Sequence, residues 1–390
     1  RFARRPLVGV ATRYGGQIVQ LVSETVRRWD ARTVTGRIET AVGRDLQFIR
    51  INGTMVGGMV GMALAQLLRT RGFEPIVIER MREGEYVPRG YMMGFQAYPA
   101  MEDIGLLDEI RAAGRDIAPR EDGSAVAIAV NVGVVLHGLA RDLPVMYEHS
   151  VVDLVRDDDG RVVGVEVEGP EGRSTIESDL VVACDGVMSP VRRMAGLEAK
   201  VTELSDASLS FMSPVPSPIS FRMEYFADGG HIGMLSWPQG TAGWRSVDRM
   251  GEEAALAPGL DAIKKMWAEL IPESKEAVDA LTSLDQVRYG EPRIMSCPVW
   301  WKPGVVIIGD SAHFFGPETG VSSALGLGDA HALAEAVRQN ADDADAACAS
   351  YDTWRAPVIR PYEATDPGLA RMMGATGEPR PHEMWPPPAA

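Results

Sequence analysis

The run Val305-Val306-Ile307-Ile308-Gly309-Asp310-Ser311-Ala312-His313, followed by Pro317, Gly320, Gly326 and Asp329, constrains this chain more than any other segment. Four consecutive β-branched residues read as a strand covered on both faces. Gly309 permits a tight turn at its end, and Asp310 sits just beyond. The spacing then predicts a helix over Ser322 to Arg338. Its amino end would aim peptide N–H groups and the positive end of the helix dipole at an electron-rich ligand. A carboxylate beside a helix N-terminus suits a ligand with sugar-like hydroxyls at one end and a polarisable ring at the other. Taken alone, the segment also fits an ordinary strand, glycine turn and helix.

Two further pieces narrow the choice. Leu180-Val181-Val182-Ala183-Cys184 reads as a second buried strand, running into Asp185-Gly186-Val187-Met188-Ser189-Pro190-Val191-Arg192. Upstream, Gly53-Thr54-Met55-Val56-Gly57-Gly58 precedes a helical Met62–Arg69 and a strand Pro75–Ile78 that ends in Glu79-Arg80. The first glycine at 53 and an acid at 79 have the order and approximate spacing of a dinucleotide fold, whose acid takes a ribose hydroxyl. In this order the three pieces resemble the class A flavoprotein monooxygenases, the family of para-hydroxybenzoate hydroxylase and the aromatic polyketide hydroxylases. The resemblance covers roughly residues 58–365.

That resemblance implies an α/β fold, with a Rossmann-like FAD-binding domain, an inserted antiparallel β substrate layer and an N-terminal helical extension. It implies an FAD-binding domain over 51–205 and 285–340 and a substrate layer over 206–284. The residues themselves suggest an arginine-rich helical extension over 1–50, a C-terminal helix over 341–375 and, from its glycine and proline content, a disordered tail over 376–390. The resemblance assigns Gly53 and Gly58 to the glycine loop, Glu79 with Arg80 to the adenosine ribose, and Arg89 to the neighbourhood of the flavin. Asp185 falls near the pyrophosphate and the path of the nicotinamide donor, and Asp310 at the ribityl chain after Gly309. Pro317, Gly320, Val321 and Ser322 would line the isoalloxazine. Plain structural readings stand beside these: a turn residue for Asp185, a solvated strand end for Glu79.

The chain departs from the family pattern in three places. The second fingerprint glycine, where the backbone approaches the pyrophosphate, is Met55, whose thioether would crowd the phosphates. Gly320-Val321-Ser322-Ser323-Ala324 replaces a more glycine-rich stretch with other small residues. Between Ala118 and Leu139 no arginine stands at the place the family has one, before the helix, and Asn131–Leu136 occupies that place.

Charge explains part of this. Residues 1–50 hold ten arginines against four acids, a net of +6, whereas the whole chain carries −15, leaving −21 on residues 51–390. So abrupt a reversal suggests two pieces of separate origin. Ile18, Leu21, Val22, Thr25 and Val26 recur at helical spacing. Residues 1–57 resemble the C-terminal end of an uncharacterised bacterial inner-membrane protein family. Phe48–Asn52 is a candidate for the missing first strand, although Arg50 and Asn52 suit a doubly covered parallel strand poorly. Residues 51–68 are just long enough for a membrane span, with Arg50 and Arg69 as flanking anchors; a strand, loop and buried helix is the preferred alternative. The first hydrophobic stretch, broken by Arg13 and Gln17, does not read as a secretory leader.

The apolar fraction of 45% is ample for a core. The three cysteines have neither metal nor redox spacing, and the acidic balance argues against nucleic acid. No metal site is expected, and a cytoplasmic location fits. Ser208–Phe211, Ile219–Phe226, His231–Ser236 and Thr241–Arg249 read as antiparallel strands. On them Tyr225, His231, Met234, Trp237 and Trp244 are candidates either for a pocket above the flavin or for plain core.

The family chemistry implies FAD reduced by NADPH or NADH, molecular oxygen, a flavin hydroperoxide and attack by an electron-rich aromatic or polyketide-like substrate. No residue is singled out as catalytic: His231, His137 and His149 are equally eligible bases by type. His313 reads as structural or flavin-facing. The competing reading is a hybrid or decayed, non-catalytic protein with impaired FAD binding and a possible membrane association.

Overall fold

A computed structural model describes residues 49–53, 55–85, 89–119, 125–204, 206–225, 230–316 and 320–364. The expected helix around Ile18–Val26, the rest of the extension up to Phe48, Tyr86-Val87-Pro88, Pro317 and the tail from 376 lie outside the described residues. The chain divides into two units, residues 1–47 and 48–390, and everything described belongs to the second.

In chain order, β1 (Ile49–Gly53) leads within one residue into α1 (Met55–Thr70) and then β2 (Ile76–Glu79). A small antiparallel sheet follows, formed by β3 (Gly90–Gly94), β4 (Arg115–Pro119) and β5 (Ala125–Asn131), with α2 (Tyr98–Ile104) and α3 (Leu107–Ala113) between its first two strands. Next comes α4 (Val132–Ala140), the segment standing where the family's arginine was expected. Asn131 caps it, its side-chain oxygen accepting the Gly133 N–H at 2.8 Å.

After the two-residue β6 (Val145–Met146), β7 (Ser150–Arg156), β8 (Val162–Gly169) and β9 (Gly172–Glu177) form an antiparallel meander that was not anticipated. Its alternating pattern and the Asp159-Gly160 turn, with Gly160 at φ +83°, are nonetheless hairpin signals. β10 (Leu180–Cys184) then returns to the main sheet and α5 (Pro190–Met194) follows it.

The main sheet completes itself late in the chain with β18 (Trp301–Lys302) and β19 (Val305–Ile307), giving the order β18-β19-β10-β1-β2-β6. Its register determines where the site lies. In parallel pairing, Gly53 is level with both Cys184 and Glu79, and Ala183 is level with Ile307. The glycine loop, Glu79, Asp185 and the Gly309-Asp310 turn therefore emerge from one sheet edge, at the carboxyl ends of its strands, where such sheets bind ligands. Ile49–Gly53, despite Arg50 and Asn52, supplies the central strand, so the expected strand is present from Ile49 onward. Two apolar parallel neighbours fix its backbone on both sides over Arg50–Gly53.

The 51–68 stretch is thus a strand followed by a helix rather than a span. From Met59 to Leu68, α1 buries its apolar residues in the core against α9 (Ser322–Gln339) and the sheet. No helix among the described residues is long and apolar enough to cross a membrane. The last helix, α10 (Ala344–Ala364), falls within the expected 341–375, packs on α9 and passes through Pro357 and Pro361.

Between these parts lies a five-stranded antiparallel layer of β12 (Asp206–Ser213), β13 (Phe221–Tyr225), β14 (His231–Trp237), β15 (Gly240–Asp248) and β16 (Val287–Gly290). β16 carries this layer six residues past the expected limit of 284. On one face Phe211, Ile232 and Met234 pack with Trp267 of α7 (Gly259–Leu270), and the Phe211 and Trp267 rings meet edge-on at 5.1 Å. On the other, Leu235 and Trp237 pack with Ile117, Ala127 and Ala129 of the β3-β5-β4 sheet. β11 (Lys200–Glu203), β17 (Arg293–Ser296) and β20 (His313–Phe314) form a further small sheet. The remaining helices, α6 (Glu252–Leu256) and α8 (Lys275–Asp279), flank α7.

Candidate functional site

The chain leaves β19 and turns over Gly309–Ser311, with Gly309 at φ +56°, a conformation that glycine adopts without strain. A Cβ on Gly326 would stand 3.0 Å from Val60 Cγ2 and 3.2 Å from Gly309 Cα, so the missing side chain lets α9 lie directly against the turn and α1. Asp310 is 8% exposed, and its Oδ1 has no hydrogen-bond partner among the described residues. Burial pushes its carboxyl up to about 6, against the opposing charges of His313 and Arg89. Gly320, at φ +66°, leads through the buried Val321 and Ser322 into α9, and the Ser322 hydroxyl accepts the Phe315 N–H at 3.0 Å.

The Asp-Gly turn is bonded to this one. Asp185 Oδ1 accepts the Ser311 hydroxyl at 3.0 Å and Oδ2 accepts the Val191 N–H at 3.1 Å. The Gly186 N–H donates back to Ser311 Oγ at 3.0 Å. The buried Arg192 clamps both turns, Nη1 donating to the Ser311 carbonyl at 2.8 Å and Nη2 to the Val187 carbonyl at 2.7 Å. Asp185 therefore spends both oxygens on protein donors. Burial raises its carboxyl, and these hydrogen bonds oppose the rise.

At the far end of the edge, Gly58, Met62, Glu79, Leu136, His137 and Tyr147 line a cavity of about 240 Å³. Glu79 is buried; its Oε1 accepts the Met81 N–H at 3.0 Å, and burial raises its carboxyl. A Cβ at position 58 would stand 3.1 Å from Glu79 Oε2, which explains a glycine there. Arg82, Glu83 and Glu85 line the cavity as well, and an acidic acceptor beside the apolar Met62 and Leu136 and the aromatic Tyr147 fits a ribose attached to a flat heterocycle. Arg80, exposed, is not among the residues lining the cavity.

On the substrate layer, Tyr225 stands opposite His231 in register, and His231 shares a face with Trp237 and Trp244. The Trp237 ring lies so close to Gly90, the residue after Arg89, that a Cβ there would come within 2.3 Å of it. Met234 does not belong to this group: strand alternation sends it to the opposite face, under Trp267. The eligible histidines also separate. His137 lines the cavity beside Glu79, His149 Nδ1 lies 2.6 Å from the Tyr147 carbonyl, and His231 is on the substrate layer.

Sequence reasoning assigned no role to Arg192 or Ser311, and did not join His313, read as structural or flavin-facing, to Asp329 and Arg355 in a fully buried set beneath the Gly-Asp turn. His313 Nε2 lies 2.6 Å from Asp329 Oδ2, and Arg355 Nε donates to Asp329 Oδ1 at 2.7 Å. Charged residue types inside apolar helices are a signal that was available for Asp329 and Arg355, because such groups are buried only with partners.

Comparison with known proteins agrees with this geometry. The profile of the family described as "FAD binding domain" matches residues 54–125 and 134–365, most of the chain. The chain belongs to that family: it is a flavin-dependent oxidoreductase with FAD as its cofactor. A second profile, described as "Protein of unknown function (DUF445)", matches residues 1–70 and overlaps the first from residue 54. Among curated relatives, the 6-methylpretetramide 4-monooxygenase of Streptomyces rimosus is 25% identical over 67% of this chain and 68% of its own length. The 2-heptyl-3-hydroxy-4(1H)-quinolone synthase of Pseudomonas aeruginosa is 24% identical over 71% and 78%. Among solved structures, 2-methyl-3-hydroxypyridine-5-carboxylic acid oxygenase superposes with a TM-score of 0.70 at 16% identity, covering 87% of this chain and 95% of the other. PqsL of P. aeruginosa, solved with 2-aminobenzoylacetate, gives 0.68 at 21%, covering 85% and 100%. These structures share the fold.

Proposed function

We propose that this protein is an FAD-dependent, NAD(P)H-using monooxygenase that hydroxylates an aromatic or polyketide-like small molecule. One oxygen atom of O₂ enters the substrate; the other leaves as water at the expense of one NAD(P)H and a proton. Bound FAD supplies the hydride acceptance and oxygen activation. The observation that carries the reading is the Asp310 carboxylate, buried at the sheet edge with one oxygen unpartnered among the described residues and thus available to a ribityl hydroxyl.

Around it the residues take separate tasks. Glu79 accepts from the adenosine ribose, while Gly53 and Gly58 admit the backbone to the pyrophosphate. Arg89 adds positive charge beside Asp310, and Gly320, Val321 and Ser322, with Pro317, border the ring. Asp185 acts mainly by holding the two turns together, and Arg80 has no direct role. Tyr225, His231 and Trp237 border the substrate and exclude water from it. The FAD-binding part spans 51–205 with the segment after β16, and the substrate layer runs from 206 to 290. A cytoplasmic location accompanies this reading, consistent with the three buried, unpaired cysteines.

A second reading has its own observation: residues 1–70 match an unrelated profile and carry Met55 in place of a fingerprint glycine. On that reading the chain is a hybrid with impaired flavin binding. Titration with FAD separates the two. The enzyme takes up flavin stoichiometrically and consumes NAD(P)H and oxygen when given phenolic substrates; the hybrid stays colourless.

A further inference from the structure

We infer that Arg355, on the last helix, is a positioning residue for the flavin turn, acting through Asp329. The inference rests on the flavin reading of Gly309–Ser311. Arg355 is 2% exposed; besides its bond to Asp329 Oδ1, its Nη2 donates to the Leu325 carbonyl at 3.1 Å. Asp329 has no exposure at all, and its other oxygen accepts the Gly309 N–H at 3.0 Å and meets His313 Nε2. One carboxylate thus connects α10 to the first peptide of the turn, and the next residue along is Asp310.

Gly328 makes room for this arrangement. A Cβ there would come 3.2 Å from Arg355 Nη2, so the guanidinium lies flat on the α9 backbone. His313 in turn stacks on Phe315, ring centroids 5.6 Å apart, on the loop leading toward Pro317. The set therefore contacts Phe315 and Leu325, which flank on either side the segment proposed to border the ring.

A buried ion set is a poor device for stability alone, because apolar residues of similar size fill the same volume without desolvating charge. Its use here is directional. Burial would raise the Asp329 carboxyl, but His313 and Arg355 outweigh it and hold the group below the ordinary range. Without the guanidinium the carboxylate loses a permanently charged partner beside His313, and the Gly309 amide loses an acceptor of fixed position. The positive-φ turn then relaxes and carries the Asp310 oxygen away from its ligand.

The test uses the full chain with FAD and compares Arg355→Met, Arg355→Lys and Val358→Ala, the last a buried α10 residue outside the ion set. Arg355→Met is expected to raise the Kd for FAD about tenfold or more and to alter the visible circular dichroism of the bound flavin. Arg355→Lys should recover part of that affinity. Val358→Ala should lower the melting temperature while leaving Kd and dichroism unchanged. Wild-type affinity in Arg355→Met, or equal flavin loss in Val358→Ala, overturns the inference.

Should Arg355→Met fail to fold, Gly328→Ala replaces it. This variant improves helix propensity while displacing the guanidinium, so a weaker FAD complex at unchanged melting temperature is expected and wild-type affinity overturns the idea. A wild-type chain that takes up no FAD would instead overturn the flavin reading, which keeps the two failures apart.

Discussion

The Ser311 hydroxyl donates to the Asp185 carboxylate at 3.0 Å, joining two turns that lie 126 positions apart in the chain. The same oxygen accepts from Gly186, and Arg192 holds the Ser311 carbonyl, so a single serine receives three connections from the Asp-Gly loop. In Ser311→Ala the carboxylate keeps the Val191 amide, but Gly186 loses its acceptor. A loss of about 1–3 kcal/mol is expected, as for other buried polar groups deprived of a partner. Denaturant unfolding of the apoprotein measures it; a midpoint equal to wild type would show that the latch does not stabilise the fold.

Asp310 gives flavin binding a pH dependence. With its carboxyl near 6 in the free protein, the group is ionised at pH 7.5 and accepts a ribityl hydroxyl. Below pH 6 it carries a proton, which binding must expel. Affinity should therefore fall by up to about tenfold per pH unit between 6 and 4. The apoprotein responds oppositely: a carboxyl raised on folding stabilises the fold when protonated, and this contribution fades as pH rises through 6. Fluorescence titration at several pH values, with Asp310→Asn as the flat control, checks both signs.

Gly58→Ala separates stability from ligand binding at the other end of the site. Alanine in a helix gains about 1 kcal/mol over glycine, yet its Cβ would crowd Glu79 Oε2. The variant should melt no lower than wild type and bind FAD more weakly. Isothermal titration alongside thermal unfolding distinguishes this from general damage.

Met55→Gly tests the fingerprint in the opposite direction. α1 begins at residue 55, where the family admits the pyrophosphate to bare backbone. Tighter FAD binding is expected, and an unchanged Kd would remove the thioether as an obstacle.

The two faces of the substrate layer predict different phenotypes. Met234→Ala removes contacts around Trp267 and should cost about 2–5 kcal/mol while sparing substrate KM. Trp237→Ala, beside Gly90, should raise KM for the aromatic substrate. Equal KM effects from both would contradict the assignment of faces.

Much of this was legible in the residues because backbone rules are local. The apolar runs at 180–184 and 305–308, the alternation at 206–248 and the glycine turns announced their strands, and sheet register then brought Glu79, Asp185 and Asp310 to one edge. Met234 was left open between pocket and core for a physical reason: a period of two separates two faces without naming which one looks toward the cofactor. Arg50 and Asn52 argued against a strand that main-chain pairing on both sides nevertheless holds. The association of Arg355, Asp329 and His313 was not legible, because partners 16 and 26 positions apart meet only once two helices and a turn have been packed.

β1 lies between β10 and β2, yet all of it precedes the region matched by the FAD-binding profile. A version trimmed to begin at the profile's first residue would leave two raw strand borders facing each other across a gap, the condition that invites aggregation. Whatever lineage supplied those first residues, the flavin half of the molecule has become dependent on them for its continuity.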